Sequence, residues 1–467
     1  MTVPKYEDMM NPTLHKGGNG MLFHHLKKRH AFHSLIMLFI LILYPTVLFA
    51  DADRIFRENN KAVVVIMTYD SQGNAVAQGS GFIVRADGAI VTNYHVISNA
   101  ENIKIKVGNK VLKVEGLLYI NKENDLVILK ADGRGLPTVK IGDMAKVNIG
   151  EKVYVIGSPH GLENTISDGI LSGIREITSQ RKVLQITAPI SAGSSGGPVF
   201  NQYGEVIGIS TFIIKEAQNL NFAMPINLIR DNIDRGKVIA FKDAEIEDYK
   251  KTEEYWFYLG FAYADSGKYK EAMEAFKQAI RIKPNVAVSH YNLGIVYDSL
   301  GKYQEAIEEY KQAIRIKPDY AEAYDNLGNA YADSGKYKEA IEAFKHAIRI
   351  KPDYALAHYN LSVVYDSLGK YQEAIEEYKQ VIRINPDIVN AHNNLGTAYV
   401  NLGMYREAME AFKQAIRIKP DDAYAQFNLG VLYLYHVKDR GLALEQYKIL
   451  KNLDTETANK LFNLIYK

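Results

Sequence analysis

The chain has 467 residues, enough for two or three domains, with 47% hydrophobic and 24% charged residues, ordinary for a globular protein. Its net charge is +2 and no run of basic residues lies in the body, so a nucleic-acid partner is not implied. It holds no cysteine, which excludes disulfides, thiolate catalysis and Cys-based zinc sites.

The first element in chain order is a leader, residues 1–52. Lys27-Lys28-Arg29 precedes an apolar stretch from Leu35 to Leu43, Pro45 breaks it, and Ala50-Asp51-Ala52 offers a cleavage site. These are the three parts of a secretory signal, which would start more ordinarily at Met21. The competing reading is an uncleaved transmembrane anchor, because residues 31–50 would form a helix of ~30 Å, just enough to span a bilayer. In both cases the basic cluster stays cytoplasmic and the body is exported. The expected address is a bacterial periplasm, with the body free or anchored to the inner membrane on its periplasmic side.

A strand-like run, Ala89-Ile90-Val91-Thr92, leads to Asn93-Tyr94-His95-Val96. Of the twelve histidines, only His95 and His160 lie near the stretch Gly193-Ser194-Ser195-Gly196-Gly197-Pro198. His160 falls in a loop-like Ser158-Pro159-His160-Gly161, so His95, held at a strand end, is the better candidate base. Between them, Asn124-Asp125 opens an alternating apolar run to Leu129 that would anchor the carboxylate on a strand. In the glycine-rich stretch, a hydroxyl on a tight turn can project into a cleft. The glycines also let backbone N–H groups converge where an oxyanion develops. His, then Asp, then Ser is the chain order of chymotrypsin-type proteases. The plainer readings are that Asp125 is a strand-edge turn residue and that Ser195 is a spent nucleophile.

With Gly79-Ser80-Gly81-Phe82-Ile83, Ile156-Gly157-Ser158-Pro159-His160-Gly161-Leu162, Gly204-Glu205-Val206-Ile207-Gly208-Ile209 and Asn221-Phe222-Ala223-Met224-Pro225, these motifs resemble the HtrA (DegP-like) branch of trypsin-fold serine proteases. The resemblance runs from about Ala62 to Arg235. It implies two antiparallel β-barrels with Ser195 as nucleophile, His95 as general base and Asp125 as the group that fixes the imidazole. The oxyanion hole would be the N–H groups of Gly193 and Ser195, with Ser194 near. Many relatives carry asparagine at the Ser194 position and trypsin-like enzymes an aspartate, so activation through a new N-terminus has no partner here. Control is then expected from loop rearrangement or from the other domain. Pro189 stands where trypsin-like enzymes place the aspartate that selects Lys or Arg. With Ile190 and Ile209, it predicts a pocket for small or medium aliphatic residues, loosely selective because one methylene is worth only ~1–3 kcal/mol. Unfolded or damaged polypeptides are the implied substrates. No cofactor or metal is expected.

From Glu253 the sequence repeats every 34 residues: Pro284, Pro318, Pro352, Pro386 and Pro420 recur at that spacing. Leu-Gly pairs (Leu259-Gly260 to Leu395-Gly396), a tyrosine (Tyr263 to Tyr399) and an alanine (Ala272 to Ala408) precede each proline at fixed offsets; Ser362 replaces one glycine. This is the tetratricopeptide pattern of paired antiparallel helices. The predicted units are 253–286, 287–320, 321–354, 355–388, 389–422 and 423–454, closed by a capping helix over Thr455–Tyr466. Asn292, Asn326, Asn360, Asn394 and Asn428 would line the inner groove. An amide ladder can hold a peptide backbone, or it can simply tie adjacent helices together. Trp256, the only tryptophan, is expected in the repeat core, reporting on that domain alone.

The fold class expected is therefore multidomain. An all-β double barrel spans 53–236, a linker or docking segment spans 237–252, and an all-α solenoid spans 253–467. The expected activity is an exported serine endopeptidase whose repeats bind protein substrates or partners, with residues 53–240 alone retaining peptide hydrolysis. The alternative is an assembly scaffold carrying an inactive or regulatory protease-like module. Homo-oligomerisation is left open.

Overall fold

The computed structural model describes residues 51–158, 164–178, 181–191, 193–213, 221–244 and 246–467. The leader up to residue 50 and the Pro159–Leu162 segment, with His160, lie outside the described residues. The chain divides into two compact units, Met1–Arg54 and Ile55–Lys467. Of the first, only residues 51–54 are described, and they are helical. Everything below belongs to the second.

Six strands, β1 (Val63–Tyr69), β2 (Ala75–Arg85), β3 (Ala89–Asn93), β4 (Asn102–Val107), β5 (Lys110–Asn121) and β6 (Leu126–Ala131), close into a barrel in the order β1-β2-β3-β6-β5-β4. All the pairings are antiparallel. Inward β-branched and leucine residues, among them Val64, Ile66, Ile90, Leu117, Val127 and Leu129, fill it. After a short β7 (Lys140–Ile141) come β8 (Lys152–Gly157), β9 (Thr165–Thr178), β10 (Arg181–Ile186), β11 (Pro198–Asn201), β12 (Glu205–Ile213) and β13 (Asn221–Pro225). They run in the order β11-β8-β9-β10-β13-β12, and the β11–β12 pairing closes the second barrel.

The segment after Arg235 is seated on the first barrel. Ile239 and Leu117 exchange N–H···O bonds of 2.8 Å in both directions. Phe241, Ala244 and Ile246 pack onto that barrel's core.

Helices then alternate in pairs: Glu253–Asp265 with Tyr269–Ile282, Ala287–Ser299 with Tyr303–Ile316, Ala321–Asp333 with Tyr337–Ile350, Ala355–Ser367 with Tyr371–Ile384, and Val389–Asn401 with Tyr405–Ile418. The sixth pair, Ala423–Leu432 and Arg440–Leu453, is joined through a π-turn at Tyr433–Val437, and Thr455–Ile465 covers the end. The Leu-Gly signature has a steric cause. A Cβ on Gly294, Gly328 or Gly396 would come within 2.5–2.6 Å of the ring of Tyr310, Phe344 or Phe412. In these pairs the close approach requires a hydrogen as the side chain, and the fourth pair, with Ser362, is the exception.

The transmembrane expectation is corrected for the described residues; residues 31–50, where the anchor was expected, lie outside them. Among the described residues no helix is long and apolar enough to cross a membrane. The second helix of each regular repeat has 14 residues, about 21 Å against a bilayer core of ~30 Å, and is amphipathic.

Candidate active site

Strand β3 ends at Asn93, and the short helix Tyr94–Ile97 carries His95 in its first turn. On the neighbouring strand, the 3-10 turn Lys122–Asn124 delivers Asp125 in the left-handed region, φ 53°. That conformation costs a non-glycine residue ~1–2 kcal/mol. It turns the Asp125 carbonyl toward two donors, the Tyr94 N–H at 3.0 Å and Asn93 Nδ2 at 2.9 Å. The carboxylate is 2% exposed and accepts three bonds. Oδ1 takes the His95 backbone N–H at 2.8 Å, while Oδ2 takes His95 Nδ1 at 2.7 Å and Thr211 Oγ1 at 2.9 Å. A carboxylate only accepts, so Nδ1 carries the proton that faces it, and the neutral ring then has its lone pair on Nε2.

Ser195 lies in the turn between Ser191 and β11. Gly196, φ 86°, brings the turn against the first barrel, where a Cβ would meet Ser80 O and Thr92 Oγ1 at 2.2 Å. Ser80 fastens the turn from that side, its N–H to Ser195 O at 2.8 Å and its Oγ to Gly193 O at 2.7 Å. Ser210 on β12 fastens it from the other, with its Oγ to Ser194 O at 2.6 Å. The Ser194 N–H turns inward to Ser191 O. Among the described residues, the N–H groups of Gly193 and Ser195 donate to no backbone acceptor.

The Ser195 hydroxyl donates to Thr211 O at 3.0 Å, not to His95. Thr211 thus touches both ends of the constellation, with its hydroxyl on Asp125 and its carbonyl on Ser195. The sequence reading missed Thr211. Its only signal is a second hydroxyl residue, after Ser210, beyond the apolar run Val206–Ile209.

Beside the turn is a pocket of about 200 Å³ lined by Val155, Gly157, Thr165, Ser167, Pro189, Ile190, Ser191 and Ser194. Among the described residues no charged side chain lines it. Ile209, expected there, is instead fully buried in β12, where it pairs with Pro198 and Met224.

The asparagine series is engaged within the repeat stack. Asn326 Nδ2 donates to Tyr291 Oη at 3.1 Å, Asn360 Nδ2 to Asp325 Oδ1 at 3.1 Å and Asn394 Nδ2 to Tyr359 Oη at 3.2 Å, each tying one repeat to the previous one. Asn292 bonds Val288 O within its own helix, and Asn428 Nδ2 is buried without a partner.

The profile of the trypsin-like peptidase domain matches residues 79–209. TPR-repeat profiles match 260–301, 296–335, 328–368 and 364–403, and a tetratricopeptide profile matches 389–422. The chain joins a trypsin-like peptidase domain to tetratricopeptide repeats. The peptidase domain is similar to a "Probable periplasmic serine endoprotease DegP-like" of Pseudomonas putida, 38% identical over 168 residues, 35% of each chain. It is also similar to the protein of the same description from Halomonas elongata, 39% identical over 165 residues, 34% of each chain. The chain thus spans about a third of the length of these relatives. A crystal structure of the serine endoprotease from Yersinia pestis matches at 31% identity and a TM-score of 0.36, over 40% of this chain and 68% of that one.

Proposed function

We propose that the chain is a periplasmic serine endopeptidase in which Ser195 is the nucleophile, His95 the general base and Asp125 its orienting carboxylate. Gly193 and Ser195 supply the oxyanion donors. The observation that carries the reading is the Asp125 carboxylate, bonded to His95 Nδ1 at 2.7 Å and joined through Thr211 to the Ser195 hydroxyl. His95 Nε2 takes the serine proton as Oγ attacks a carbonyl carbon, then returns it to the leaving amine. Asp125 stabilises the imidazolium between the two steps.

The uncharged pocket beside Ser195 would leave a Lys or Arg side chain without a counter-charge. Small or medium uncharged residues before the cleaved bond are therefore preferred, and the substrates are extended segments of unfolded polypeptides. The repeats bind protein partners or substrates.

A second reading of the same site is an enzyme at rest, favoured by the Ser195 hydroxyl bonding Thr211 O. Labelling with a fluorophosphonate tests both. Labelling and casein cleavage that vanish in Ser195→Ala support the peptidase. Labelling that starts only when peptide is added supports the resting form. No labelling under either condition rejects both and leaves a scaffold with an inert barrel domain.

A further inference from the structure

The segment that joins barrels to repeats ends at the His95 ring. Tyr249 is 6% exposed, and its ring lies over the His95 imidazole with centroids 6.0 Å apart and planes 29° from parallel. Tyr249 is itself wedged edge-on between Tyr94, at 5.9 Å, and Tyr255 of the first repeat helix, at 5.9 Å. Trp256 stands edge-on to Tyr255 at 5.4 Å. A continuous series of ring contacts therefore runs from the imidazole into the repeats.

Hydrogen bonds fix the wedge. The Tyr94 hydroxyl donates to Glu247 O at 3.1 Å and accepts from Glu247 N–H at 2.8 Å. Burial holds the Tyr94 phenol above its usual range, so it remains the neutral group that can do both. Thr252 donates to Tyr249 O at 2.7 Å and caps the first repeat helix by accepting from the Tyr255 N–H at 3.3 Å. The same helix reaches the other half of the acid–base pair. Tyr258 Oη donates to Glu123 O at 3.1 Å, in the turn that presents Asp125.

Asp125 fixes one edge of the imidazole, but a single Nδ1 bond leaves the ring free to tilt about it. A surface against its face removes that freedom. An aromatic face also favours the imidazolium formed during catalysis. We propose that Tyr249 is a positioning residue for His95, through which the first repeat holds the acid–base pair in its working orientation. This rests on the peptidase reading above for its catalytic consequence, and on geometry alone for its effect on the ring.

The test uses the full chain with Tyr249→Leu, which keeps apolar bulk but removes the ring, and Tyr249→Phe, which restores it. Two readouts are needed. One is the kcat and KM of casein cleavage. The other is the downfield proton resonance of the His95 Nδ1–H, assigned by its absence in His95→Ala. Tyr249→Leu is expected to lower kcat about tenfold with KM within twofold, and to broaden or shift the resonance. Tyr249→Phe is expected to match the wild type in both. A Tyr249→Leu protein with unchanged resonance and kcat overturns the proposal, as does Tyr249→Phe failing as badly as Tyr249→Leu. If wild-type protein takes no fluorophosphonate and cleaves nothing, the peptidase reading fails on its own, and the resonance still decides for or against Tyr249.

Discussion

Asp125 holds His95 twice, by its backbone N–H through Oδ1 and by its ring through Oδ2. The first bond fixes where the short helix Tyr94–Ile97 begins, and the second fixes how the ring points. Replacing the carboxylate by an amide would disturb the second bond more than the first. Asn presents one acceptor and one donor, so a ring nitrogen facing the donor must take the wrong tautomer. Asp125→Asn is expected to fold and to lose ~10³–10⁴ in kcat, as measured by casein cleavage beside far-ultraviolet circular dichroism.

Thr211 supplies a second donor to the same carboxylate. Thr211→Val keeps the shape but strips that bond from a buried charge, at a cost of ~1.5–3 kcal/mol. Casein cleavage is expected to fall at least tenfold, and thermal stability to fall with it. Thr211→Ser keeps the hydroxyl and should stay within a few-fold of wild type; a loss in Thr211→Ser with Thr211→Val still active would show that the methyl group, not the bond, matters.

Asp325, fully buried in the third repeat, is pushed up to about 7 by burial, against the Asn360 hydrogen bond that draws it down. The folded state thus keeps a proton that the unfolded chain, with the ordinary aspartate value of 3.8, has lost. Stability falls as pH rises across that window and is lowest above it. Asp325→Asn removes the charge and still offers Asn360 an acceptor; the fifth repeat has Asn393 at the matching position. Urea denaturation at pH 8 should show the variant ~2–4 kcal/mol more stable, with little difference at pH 4.

His290 and His358 each bridge a carboxylate and a proline carbonyl. His290 Nδ1 lies 2.6 Å from Glu309 and its Nε2 2.9 Å from Pro284 O; His358 repeats the arrangement with Glu377 and Pro352. A neutral imidazole carries one N–H and cannot donate to both. Burial pulls both rings down. The carboxylate bonds, the proline carbonyls and the carboxylate charges outweigh it and leave them raised. The stabilisation is fully present below the unfolded value of 6.5 and is lost as pH rises through the folded value. His290→Gln with His358→Gln should flatten the melting temperature against pH between 5 and 8. Gln426 already makes the proline bond in this way at 3.2 Å.

Ser362 stands where the other repeats place glycine, and its repeat lacks one bond. Tyr310 Oη donates to Asp298 Oδ2 at 2.8 Å in the second repeat, whereas the corresponding Tyr378 Oη is buried without a partner. Ser362 carries the Cβ that, at the matching glycines, would come within 2.5–2.6 Å of the partner ring. Ser362→Gly costs ~0.5 kcal/mol of helix propensity and frees a bond worth ~1.5–3 kcal/mol. A rise of ~1–2 kcal/mol in denaturation midpoint free energy is expected, and a fall would reject the explanation.

The repeat solenoid was legible because each unit must satisfy the same contact, small residue against ring, and therefore repeats in the sequence. His95, Asp125 and Ser195 could be named because each sits in a short local motif whose backbone demands show in the letters. Thr211 could not, since one threonine on a strand carries no spacing of its own. Nor could Tyr249, which meets His95 across 154 positions of chain. Trp256, expected to report on the repeats alone, is half-buried at the junction, three ring contacts from His95. In a segment rich in Lys, Asp and Glu, the pattern Phe241, Ala244, Ile246, Tyr249 is the trace that docking leaves.

That docking changes what counts as a separable part. Sequence profiles outline a peptidase that stops at 209 and repeats that start at 260. Scissors placed at 240, the natural cut between them, would strip Phe241, Ala244 and Ile246 from the first barrel and leave an apolar scar on the barrel fragment. The smallest piece that keeps its surfaces covered reaches past Tyr258, so part of the first repeat is inherited with the trypsin-like domain.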